Sequence, residues 1–195
     1  MPDLLDLGPS TRRVAALLDG VGDDDLTRPT PCDYDVATLL EHLDGLSLAF
    51  TLAARKSDDP MLGAAPAPSG AALSPGWRQR IPERLDALAE AWRSPEAWEG
   101  EATAGGVTMP ADIAATVALD EVVLHGWDLA RATGQPYEVD PGDLAVVHRF
   151  VEESAKPEQA QAREGLFGPP LPVPGDAPLL DRVVALAGRS PSWPH

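Results

Sequence analysis

An all-α fold is what this sequence predicts: a bundle of four main helices with C-terminal additions. Three observations carry that expectation. Apolar residues recur at helical spacing in several long segments. Capping residues, prolines and glycines fall mostly at the ends of those segments. Strand signals, meaning alternating β-branched or aromatic runs, are almost absent. At 195 residues the chain is long enough for one domain with a real core. The reading is a single domain over 1–195, with a helical core over about 10–155 and an arm over about 156–195.

The elements follow in order. Ser10 or Thr11 is placed to cap a first helix, with Val14, Leu17, Leu18 and Val21 as its buried stripe. TRPTPCDYD, residues 27–35, has two prolines and reads as an ordered loop. Asp35 then caps a second helix over roughly 36–55, whose stripe is Val36, Leu39, Leu40, Leu43, Leu46 and Phe50. Gly45 sits inside that helix, where glycine costs about 1 kcal/mol relative to alanine, so a close approach to the backbone is expected there. Residues 57–74 are rich in Pro, Gly, Ala and Ser and read as a mobile loop partly covering a site. Ser74 and Pro75 open a third helix with Pro82 in its first turns. Trp98 to Met109 is irregular, with a short hairpin around Gly105-Gly106 as one reading. Pro110 starts a fourth helix and Gly134 stops it. Asp140-Pro141 starts a fifth, FGPPLPVPGDAP is an irregular arm expected to lie over the bundle, and Leu179 to Ala187 is a last short helix. The terminal His195 carries no weight in this reading.

The formal net charge of −16 argues against nucleic acid and anionic membrane surfaces as partners. Because the acidic residues are dispersed, they suggest a solvated surface rather than one acidic site. A single cysteine, Cys32, leaves no internal disulfide. No apolar run approaching the ~20 residues of a membrane span is expected, and MPDLLDLGPSTRR lacks the form of a signal peptide. A reduced, cytoplasmic protein is the expectation.

Chemistry concentrates in DEVVLHGWDLAR, residues 120–131. Glu121 and His125 are four apart, hence on one helix face, which continues through Ala114, Val117 and Ala118 and should point inward. A carboxylate and an imidazole on a buried face need a partner, either a metal ion or an Arg or Lys from another helix. His42 lies at the edge of the second helix's stripe and could join them. Two imidazoles and a carboxylate make a three-ligand set with an open position for zinc, or a facial triad for ferrous iron. A salt bridge or a hydrogen-bonded core histidine is the competing explanation. Asp128, one turn beyond His125, can orient a ligand histidine or pair with Arg131. Cys32 reads as a buried structural thiol that shares no metal with His42.

Three separated stretches, PTPCDYDVATLLEHL (29–43), VVLHGWDLARATGQP (122–136) and FGPPLPVPGDAPLLDRVVALAGRSP (167–191), resemble one family. It is the actinobacterial family of small proteins related to the metal-binding domain of mycothiol-dependent maleylpyruvate isomerase, within the DinB-like (YfiT-like) superfamily. The resemblance implies a DinB-like four-helix bundle holding a divalent metal, commonly Zn2+, with Ni2+ or Fe2+ as alternatives. It maps the ligands onto His42, Glu121 and His125. Tyr34 stands where the family's loop usually has Trp. The full isomerase carries a further C-terminal domain where this chain has its arm and short helix, so maleylpyruvate isomerisation itself is not the expectation. What the resemblance implies is a metal- and thiol-dependent transferase or isomerase, with mycothiol as cosubstrate and a small electrophile as substrate, acting as a monomer or homodimer. The alternatives are a non-catalytic metal- or ligand-binding stress or regulatory protein, and a non-haem iron enzyme built on the same triad.

Overall fold

The computed structural model describes residues 5–163 and 166–194; His195 and the first four residues lie outside them. The chain is mostly helical and forms two compact units, Met1–Tyr137 and Glu138–His195. In the first, α1 (Gly8–Leu18), α2 (Val36–Ala54), α3 (Trp77–Ala91) and α4 (Ala111–Thr133) pack as a ring in which α1 and α2 each contact both α3 and α4. Their inward stripes supply the core, including Val14, Leu39, Leu43, Ile81, Leu85, Leu88, Leu119 and Val122, all at 0% exposure. One short antiparallel hairpin, β1 (Glu101–Ala104) with β2 (Val107–Pro110), turns at Gly105-Gly106, both at positive φ, and precedes α4.

Helix ends follow local chemistry. Asp35 caps α2, its Oδ1 accepting from Thr38 N at 2.8 Å. Gly134, in the left-handed region, closes α4. The start of α1 differs from expectation. It begins at Gly8 with Pro9 in its first turn, and Asp6 Oδ1 accepts from Gly8 N at 2.9 Å. Ser10 and Thr11 are therefore inside the helix and buried. Pro9 pre-sets the helical φ and Asp6 satisfies a free amide, which makes a serine or threonine cap redundant.

One further expectation is corrected. Nothing lies within 4 Å of where a Cβ on Gly45 would stand, so no close approach explains that glycine. The 57–74 loop is joined to α2 and to the hairpin at several points. Glu41 Oε2 accepts from Ser69 N and Ala72 N, Leu62 is buried, and its carbonyl accepts from Gly106 N at 2.8 Å.

By length and mean hydropathy (19 residues, 1.2), α2 is long and apolar enough to cross a membrane, although Glu41, His42 and Asp44 interrupt its apolar run. In the protein, 61% of that window is buried, and Asp44 on its α3-facing side pairs with Arg80 and Arg84 at 2.8 Å each. Its apolar face is the core stripe read from the sequence.

The second unit contains α5 (Pro141–Ser154), α6 (Ala160–Arg163) and α7 (Leu179–Leu186). α5, read from sequence as the end of the helical core, groups here with the C-terminal elements. The proline-rich arm is irregular. Leu171 N bonds Ala185 O at 2.9 Å, and Gly168 meets Gly188 so closely that a Cβ on Gly188 would lie 2.6 Å from Gly168 Cα. Buried Arg163 donates to the carbonyls of Gly168 and Leu186 and to Ser154 Oγ, tying arm, α5 and α7 together.

Candidate metal centre

The centre lies between α2 and α4, where the two helices pack side by side. His42 comes from the middle of α2; Glu121 and His125 come from one face of α4. One nitrogen of each histidine and one Glu121 oxygen all lie within 4.8 Å of one another. Glu121 Oε2 is 3.1 Å from His125 Nε2 and 3.4 Å from His42 Nε2, and the two rings meet edge to face at 4.8 Å between centroids. The two histidine side chains are about nine-tenths buried, at 10% and 9% exposure, whereas Glu121 keeps 23% and forms the solvent-facing edge.

Asp128 takes the orienting position. Fully buried, it holds His125 Nδ1 at 3.0 Å through Oδ2. That contact puts a hydrogen on Nδ1 and aims Nε2 at Glu121 and His42, so Nε2 is the atom left to a cation once its proton is displaced. His42 lacks an equivalent anchor, for its Nδ1 is buried with no hydrogen-bond partner. Tyr34 packs edge-on against the His42 ring, centroids 5.9 Å apart.

Electrostatics follow from this crowding. Burial works against the Glu121 charge, yet hydrogen bonds and positive charge from His125 and His42 hold its carboxyl far below the ordinary value of 4.5. Burial also works against a proton on His125. Hydrogen bonds with Asp128, Cys32 and Glu121, and the charge of Glu121, outweigh it and hold the imidazole well above its ordinary 6.5. Among the described residues no lysine or arginine pairs with Glu121, so the arginine-held alternative has no support. Two imidazole nitrogens and a carboxylate oxygen converging from two rigid helices fit a divalent cation of the zinc or iron type.

Cys32, expected as a buried structural thiol, is only half-buried and stands beside this centre. Its sulfur, a His125 nitrogen and an Asp128 oxygen form a second group within 4.8 Å of one another. The loop that carries it is tightly built. Pro29 and Asp35 bridge, Val36 N bonds Arg28 O, Thr30 N and Oγ1 both bond Tyr34 O, and Asp33 takes a positive φ of 66° between Cys32 and Tyr34. Gly126 was also missed. A Cβ there would meet Tyr137 Oη at 2.5 Å and Val14 at 2.7 Å, so the residue after His125 must be glycine for α1 and the chain beyond α4 to close on it. Neither contact has a local sequence signal.

The model of the mycothiol maleylpyruvate isomerase N-terminal domain matches residues 7–130, which hold every residue of this centre. Two relatives from Mycobacterium tuberculosis, the uncharacterized proteins MT0763 and Rv0738, are each 28% identical over 188 residues, covering 90% of this chain and 91% of theirs. No solved structure matches the chain.

Proposed function

The chain belongs to the mycothiol maleylpyruvate isomerase N-terminal domain family, and from that premise we propose that it is a DinB-like divalent-metal protein carrying out thiol-dependent transfer or isomerisation. His42, Glu121 and His125 would hold the cation, with Zn2+ as the first expectation from the donor set. The observation that carries this reading is the convergence of their three donor atoms, with Asp128 fixing His125 from behind.

A divalent cation in that position supplies the positive charge that deprotonates a coordinating thiol. The chain's own residues do the rest. Glu121 sets the charge of the pocket and its open edge. Asp128 keeps the His125 tautomer, and the Tyr34 ring walls the His42 side. A mycothiol-type small thiol entering at the open edge would present its sulfur to an activated double bond; the carbon–sulfur bond would form as the π pair moves to the neighbouring carbon, which takes up the proton lost from the thiol. Asp128, the side chain that could close a structural site, is instead turned to His125 through Oδ2, which favours this reading over a purely structural metal.

The test is incubation of metal-loaded protein with a small thiol and a panel of electrophiles, following adducts by mass spectrometry. Adducts that vanish on metal removal are expected. Identical adduct yields with and without metal would contradict the proposal.

A further inference from the structure

The thiol chemistry proposed above leaves Cys32 without a task, although it stands beside the most constrained of the three ligands. Its sulfur groups with a His125 nitrogen and an Asp128 oxygen, all within 4.8 Å, rather than with His42 and Glu121. The half-buried thiol is itself held, 3.2 Å from Thr30 Oγ1. That threonine is in turn bonded through N and Oγ1 to Tyr34 O, so the position of the sulfur is set by the backbone of the 29–35 loop.

An imidazole anchored by one carboxylate can still tilt about that contact. A second fixed group on the same side removes the tilt and keeps the far nitrogen aimed, which is how groups beyond the ligands tune metal affinity. We propose that Cys32 is a positioning residue of the metal centre: its thiol acts with the Asp128 carboxylate to fix the His125 imidazole, so that the nitrogen facing Glu121 and His42 stays directed at the cation. The inference rests on the metal-binding reading and gives Cys32 no contact with cation or guest.

Cys32→Ala and Cys32→Ser test it in the full chain. Affinity for Co2+ is measured by competition with a chelator, alongside the visible bands of the bound cobalt and the melting temperature of the cation-free protein. Cys32→Ala is expected to weaken Co2+ binding about tenfold or more and to shift the cobalt bands. Cys32→Ser, which keeps a polar contact, is expected to recover most of the affinity. A thiol that merely packs would lower the cation-free melting temperature and leave affinity and bands unchanged, and that result overturns the proposal; so does equal loss in Ala and Ser variants. If Cys32→Ala does not fold, the wild-type chain methylthiolated on Cys32 with methyl methanethiosulfonate provides the same comparison. Loss of affinity is again expected, and unchanged affinity overturns the assignment. A wild-type chain that takes up no cation sinks the metal-binding reading first, and this inference with it, before any variant is made.

Discussion

Asp128 is fully buried against His125 Nδ1, and its replacement gives the sharpest reading of how the ligand is held. Asp128→Asn keeps the volume and removes the charge; cation affinity should fall about tenfold to a hundredfold, measured by chelator competition. His42→Ala and His125→Ala should each lose stoichiometric metal by elemental analysis, and retention in either would show that the ligand list is wrong. pH acts through the same residues. In the cation-free protein the raised His125 value contributes stability that is complete below its ordinary 6.5 and is lost as pH rises through the raised value. The depressed Glu121 value contributes stability that is complete above 4.5 and is lost as pH falls through the depressed value. Both contributions are therefore intact between 4.5 and 6.5. A cation must displace the His125 proton, so binding near neutral pH should release protons and tighten as pH rises, which calorimetry in buffers of different ionisation enthalpy measures. Glu121 and His125 were legible because four-residue spacing on a helix is a geometric statement, and His42 because it edges an apolar stripe. Cys32 was not, because its approach to His125 depends on the path of a loop with a left-handed Asp33.

At the level of elements, α4 carries two of the three candidate ligands and a close packing constraint at Gly126. Gly126→Ala would drive a methyl into Tyr137 and Val14, and should destabilise the protein by about 1–3 kcal/mol in denaturant unfolding. Asp35→Ala removes the α2 cap and should cost about 1 kcal/mol in the same measurement. The helices themselves were readable because stripe and caps agree, as at Asp35 and Gly134. The function of a glycine was not readable, since Gly45 and Gly126 look alike in sequence and only neighbours distant along the chain tell them apart. The contacts of the 57–74 segment were unreadable for a related reason: Glu41 Oε2 accepts from its backbone and Gly106 N donates to its Leu62 carbonyl, and both partners are distant along the chain.

For the whole molecule, charge and centre act together. A chain of net charge −16 concentrates divalent cations near its surface, so apparent affinity should drop as ionic strength rises. The family match ends at residue 130, within the first compact unit that holds all the candidate ligands. The second unit, with Arg163 binding its own arm and helices, carries none of them. An anomalous-scattering map of crystals grown from untagged, zinc-supplemented protein examines the centre most directly. One peak per chain, about 2.0–2.2 Å from a nitrogen of His42, a nitrogen of His125 and an oxygen of Glu121, is the expected result. A map with no peak there, or with the metal held by other residues, would contradict it.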